Sequence, residues 1–70
     1  MEIKMEKVVS SNVDSIGFNE QEKICRIKFL DGRIYDYSNF TNSTFQSLKT
    51  AESIGGFINK NLRYSGKRVI

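Results

Sequence analysis

Asp31-Gly32 lies between two stretches that each alternate apolar and polar residues, and this pair constrains the chain more than any other feature. Before it, Cys25, Ile27 and Phe29 alternate with Arg26 and Lys28; after it comes Tyr35-Asp36-Tyr37. A period of two marks a half-buried strand, so the segment reads as a β-hairpin whose register depends on the turn. A two-residue primed turn would pair Phe29 with Ile34, place Asp36 in the core opposite Ile27, and turn both tyrosines outward. A three-residue loop over 30–32, with Gly32 in the left-handed position of a bulge, pairs Ile27 with Tyr35 and Cys25 with Tyr37. Asp36 then faces Arg26. The second register gathers the aromatics on the apolar face and is the one expected. It leaves Ile34 beside Lys28 outside.

The hairpin has neighbours on both sides. Residues 13–19 read as a preceding strand, with Ile16 and Phe18 on one face, Asp14 sharing it, and the polar run 19–23 as a surface loop. After Phe40 the period becomes helical. Asn42 or Ser43 serves as N-cap, Gln46 is placed for a capping box, and Phe45, Leu48 and Ala51 form the inward stripe. A second helix starts at Ser53, with Ile54, Phe57, Ile58 and Leu62 inward and Lys60 and Arg63 off the stripe. The expected fold is α+β: a three-stranded antiparallel meander followed by two short helices packed on one face. Residues 1–7 and 65–70 are expected to be loose ends of a single domain.

With 70 residues, the chain buries close to the ~60% of unfolded surface expected for a 60-residue domain. Such a core rarely supplies more than ~3–5 kcal/mol, so disulfides, metals or self-association commonly reinforce it. The single cysteine, Cys25, permits no internal disulfide, and a chain without histidine lacks the usual soft-metal ligand set. Self-association is the remaining reinforcement, and a homo-oligomer is expected. Without a histidine to activate it, Cys25 reads as a small core residue. Met1–Lys7 does not resemble a signal peptide, and no segment reaches membrane-spanning length. With an unpaired thiol, this points to the cytoplasm of a bacterium or of a phage-infected host.

The net charge of +3 is unevenly distributed. Residues 1–52 hold seven basic and eight acidic side chains, a balance of −1, whereas 53–70 hold Lys60, Arg63, Lys67 and Arg68 unopposed, a balance of +4. An unopposed basic end attracts phosphates; it also serves as an ordinary solvated surface. Ser53, Gly55 and Gly56 at a helix start suit an anion, or equally an N-cap with close-packed glycines. Asn59, one turn later, suits a cap or a ligand contact. Tyr64 beside Arg63 suits base stacking, whereas the hairpin register turns Tyr35 and Tyr37 inward. The candidate phosphate- or base-binding set is therefore Ser53, Gly55, Gly56, Asn59, Lys60, Arg63, Tyr64, Lys67 and Arg68. No catalytic constellation, phosphate loop or cofactor motif is present, so an enzyme is not expected.

Ser10-Ser11-Asn12, Ile16-Gly17-Phe18, Phe29 with Gly32, Tyr35 and Tyr37, and Ala51-Glu52-Ser53-Ile54-Gly55 leading to Phe57, Asn59, Leu62 and Tyr64 occur in an order that resembles the KTSC domain. That module is found at the C-terminus of some lysyl-tRNA synthetases and as stand-alone small proteins. The chain departs from the family pattern at Thr41-Asn42, usually prolines, at Phe18 for tyrosine, at Ile58 for an aromatic, and at Gly56 for a residue often basic. The resemblance implies a small α+β module, with RNA as the ligand suggested by the family's company. The expected function is thus a non-enzymatic module for RNA or a phosphate-bearing nucleotide. Alternatives are a viral homo-oligomer that sequesters a nucleotide second messenger and a protein–protein interaction module using Leu30 and Ile34.

Overall fold

The computed structural model describes residues 3–62 and 66–70. Five antiparallel strands, β1 (Met5–Lys7), β2 (Val13–Asn19), β3 (Ile24–Phe29), β4 (Ile34–Tyr37) and β5 (Gly66–Arg68), lie in sequence order in one sheet. Helices α1 (Asn42–Thr50) and α2 (Ile54–Asn61) are inserted between β4 and β5. The class is the α+β one expected, with five strands where three were expected.

The central hairpin has the expected register: Cys25 opposite Tyr37, Arg26 opposite Asp36, Ile27 opposite Tyr35, and Lys28 opposite Ile34. The Gly32 N–H donates to the Phe29 carbonyl at 3.0 Å, and the Phe29 N–H donates to the Arg33 carbonyl at 2.9 Å. This closes a three-residue loop only if residue 32 takes a left-handed conformation; Gly32 has φ +95°, which lacks the Cβ penalty there. On the outer face, Arg26 grips Asp36 through two bonds, Nε–Oδ1 at 2.7 Å and Nη2–Oδ2 at 2.9 Å. The Asp36 carboxylate holds the Arg26 guanidinium above its ordinary pKa.

β2 has the expected bounds but one face is corrected. Val13 pairs with Phe29 and Ser15 with Lys28, a bulge that makes Asp14 the extra residue. Val13 therefore joins Ile16 in the core, and Asp14 does not share that face. Its carboxylate instead meets Lys7 Nζ at 2.9 Å, and this bond, with a smaller one from Ser15, holds its pKa below the ordinary value. The N-cap of α1 is also corrected: Thr41, one residue earlier than expected, accepts from the Thr44 N–H at 3.1 Å. Ser53 caps α2 as expected.

Both expected loose ends contain paired strands. β1 lines up against β2, with Ile3 and Met5 lying over Gly17, 2.6 and 2.8 Å from where a Cβ would stand. β5 pairs with β4, Tyr37 opposite Gly66 and Tyr35 opposite Arg68, and the Val69 N–H continues the ladder to the Ile34 carbonyl at 2.8 Å. One continuous core unites Val13, Ile16, Cys25, Ile27 and Tyr37 of the sheet with Phe40, Phe45, Leu48, Ile54, Ile58 and Leu62. Phe18 stacks on Phe45 with centroids 5.1 Å apart. Cys25 is a sealed core residue, its thiol pushed up to about 12 by burial and then by Asp36. No helix among the described residues is long and apolar enough to cross a membrane.

Candidate functional site: an aromatic cleft between α2 and β3–β5

A concavity of about 340 Å³ opens between α2 and the β3–β5 end of the sheet. Ligand pockets run from ~300 to 1,000 Å³, so it suits one small flat group. The sheet contributes Phe29, Tyr35, Tyr37 and Gly66; α2 contributes Gly55, Ile58 and Asn59; Arg33 completes the lining. The spacing of 55, 58 and 59 along α2 sets those three on the helix face toward the sheet. Inward alternation along the hairpin sets Phe29, Tyr35 and Tyr37 beneath them.

Tyr37 gives the cleft its chemistry. The residue is only 4% exposed, and no hydrogen bond holds its hydroxyl among the described residues. Nor is that oxygen a sealed, unsatisfied atom, because no described buried side-chain oxygen or nitrogen lacks a partner. The hydroxyl therefore keeps a small opening, and the cleft is the cavity it lines. Burial, then the neighbouring Cys25, raises its pKa, so it is a neutral phenol able to donate one bond and accept others. The side chain of Asn59, exposed on α2, likewise has no hydrogen-bond partner among the described residues. A carboxamide and a phenol facing one aromatic space can read the edge of a planar heterocycle.

Arg33 adds the positive charge. Its guanidinium lies 5.8 Å from the Phe29 ring centroid, and its Nε donates to Asp31 Oδ2 at 2.7 Å. Asp31 raises the Arg33 pKa, with Tyr35 contributing less. The Asp31 carboxyl is lowered, first by the Arg33 backbone N–H at 3.0 Å and then by its side chain. Phe29 and Tyr35 meet edge to face, with centroids 5.8 Å apart. The ring walls are thus braced.

The sequence-derived candidates divide. Gly55 and Asn59 line the cleft, and Arg68 lies opposite Tyr35 on its sheet side. Lys67 lies opposite Asp36, on the other face. Lys60 is exposed beside Asn59 without lining the cleft. Ser53 is occupied as a cap, and its Oγ takes the Gly56 N–H at 3.0 Å, so that amide is not a free anion donor. Arg63 and Tyr64 lie outside the described residues. Sequence reasoning missed Phe29, Arg33, Ile58 and Gly66 as site residues, and favoured the core over base stacking for Tyr35 and Tyr37. The inward register already held the clue, since rings near a sheet edge both pack and face whatever space the edge leaves open. Among the described residues no group of three or more His, Cys, Asp or Glu is placed to hold a metal.

Fold and cleft together define a small two-layer α+β domain with an open aromatic concavity on its helical side. The crystal structure of a KTSC domain protein from Yersinia pestis superposes on this chain with a TM-score of 0.89 over 99% of this chain and 100% of that one, at 22% identity. A protein of Tsukamurella paurometabola is 34% identical over 55 residues, 79% of this chain and 82% of the relative. The KTSC domain model matches residues 9–65, and the chain belongs to the KTSC domain family.

Proposed function

We propose that this chain is a non-enzymatic binding module for RNA or a phosphate-bearing nucleotide, with the α2/β3–β5 cleft as the base site. The observation that carries the reading is Tyr37, a nearly buried phenol without a hydrogen-bond partner among the described residues, facing an aromatic cleft beside the equally unpartnered Asn59. Aromatic walls stack bases of any sequence, and paired polar groups select among them. Arg33 and Arg68 meet the phosphate, with Lys60 and Lys67 adding to the field. The cytoplasm is the compartment proposed for it, on the strength of the unpaired Cys25.

The three tyrosines and absence of tryptophan make tyrosine fluorescence a direct probe. Titration with nucleoside monophosphates should quench it saturably, and Tyr37→Phe and Asn59→Ala should each weaken binding roughly tenfold, the scale of one hydrogen bond to an otherwise unpaired group. Affinity should fall with salt at a log–log slope of about −0.7 per phosphate contact. Unquenched fluorescence at millimolar nucleotide removes the reading. Self-association is favoured by the exposed Leu30, Val69 and Ile70 near one sheet edge, at 58%, 47% and 68% accessibility. Light scattering after size exclusion reports it as a doubled mass.

A further inference from the structure

The cleft has a neighbour. A second concavity of about 210 Å³, lined by Ser11, Asn12, Leu30 and Asp31, shares Phe29 and Arg33 with the first. The Arg33 guanidinium over the Phe29 ring is therefore a ridge between two adjoining hollows. The loop that walls the second hollow is anchored, since Ser10 Oγ accepts from the Asn12 and Val13 N–H groups at 3.2 Å each. It also reaches the first: Asn12 Nδ2 is 3.2 Å from where a Cβ on Gly55 would stand. Each hollow is near or below the lower limit for a whole drug-sized ligand, and each suits one flat unit of a longer one.

The ridge has the chemistry of a phosphate contact. An arginine carries five N–H donors; Nε of Arg33 is committed to Asp31 and a weaker interaction runs to Tyr35, which leaves donors of the guanidinium for a phosphate. The second hollow keeps the Phe29 ring and Leu30 on one side and adds Ser11, Asn12 and Asp31. Ser11, Asn12 and the spare lone pairs of Asp31 suit sugar hydroxyls. We propose that the two hollows form one groove for a single-stranded stretch of two nucleotides, one in each, with the linking phosphate at the Arg33 guanidinium. This rests on the nucleotide reading of the first cleft and extends it from a mononucleotide to a chain.

The probes are adenylyl-adenosine and AMP, titrated by tyrosine fluorescence against the wild type and Ser11→Glu. Ser11 is exposed, so the variant should keep the wild-type melting profile while placing a negative charge in the second hollow. The expected result is roughly tenfold tighter binding of the dinucleotide, the scale of one further stacked base. Ser11→Glu should abolish that advantage, weakening the dinucleotide several-fold more than AMP, whose phosphate meets the same Arg33. Equal affinities for the two probes, or a dinucleotide advantage indifferent to Ser11→Glu, overturn the two-nucleotide groove and leave the nucleotide reading standing. Failure of both probes to bind overturns both.

Discussion

Gly66→Ala tests whether β5 is as tightly applied as the geometry indicates. A Cβ at Gly66 would stand 2.6 Å from Tyr37 Cε2, 2.7 Å from Cζ and 3.1 Å from the hydroxyl. Contacts that short force a movement. The Tyr37 ring is 4% exposed within the core, so it cannot swing aside cheaply, and β5 must lift or the ring must leave its rotamer. Overpacking of this kind costs ~1–3 kcal/mol. Against that stands a gain of roughly 0.5–1 kcal/mol from replacing glycine in a strand. The net expectation is a loss of about 1–2 kcal/mol, out of a total stability of ~3–5 kcal/mol for so small a core. For a domain this size each kcal/mol moves Tm by roughly 4–8 °C, so a thermal melt followed by circular dichroism resolves the change. Urea melts of Gly66→Ala, Tyr37→Leu and the double variant isolate the contact. A smaller side chain at 37 should relieve the added methyl, giving a coupling energy of about 1 kcal/mol. A neutral or stabilising Gly66→Ala, or additive variants, would refute the close packing of β5 against Tyr37.

Three further expectations concern other parts of the fold. Thr41→Ala should cost about 1 kcal/mol in urea melts, as loss of an N-cap does, whereas Asn42→Ala should cost a few tenths at most. Cys25 should resist a thiol reagent at pH 8 in the native state and react promptly in denaturant, because its pKa of about 12 and its burial withhold the thiolate. Asp14 and Asp31 are both held below their ordinary value of 3.8, so the stability they contribute is present above that value and is lost as pH falls through 3.8 toward the lower folded values. Acid unfolding followed by circular dichroism should therefore begin in that window, and a double Asp14→Asn, Asp31→Asn variant should show a shallower loss there.

The hairpin was legible because only one register puts Cys25, Ile27, Tyr35 and Tyr37 on the same face, and Gly32 is where that register needs a positive φ. Helix α2 was legible for a similar reason, as Ser53 and the 54, 58, 62 spacing agree. The bulge at Asp14 was not, because shifting the alternation by one residue within Val13-Asp14-Ser15-Ile16 leaves no compositional mark. Thr41, Asn42 and Ser43 are all competent caps, and the choice among them is made by the path of the chain from Phe40. β1 and β5 were hidden more deeply. β1 offers only the short alternation Ile3-Lys4-Met5-Glu6 and β5 none, and each is held by backbone pairing to a neighbour whose position only the tertiary fold supplies. The cleft followed the same pattern. Of its α2 members, Gly55 and Asn59 were singled out from local sequence, whereas Phe29 and Arg33 reach it from the hairpin and Gly66 from β5.

Tyr37 joins these levels. Its ring belongs to the core and rests on β5, while its hydroxyl has no hydrogen-bond partner among the described residues and the residue lines the cleft. A group placed there cannot be ordered for binding without also being ordered for folding, so stability and ligand occupancy are coupled through one side chain. For a ligand that binds only the folded state, occupancy at a hundred times Kd adds about 2.7 kcal/mol, comparable with the whole stability of a domain this small. The thin core therefore makes stability a sensitive readout of any ligand that the cleft takes. The same coupling explains why the last strand matters to a site it scarcely touches: Gly66 sets the height of the Tyr37 ring, and the ring sets where the phenol stands in the cleft.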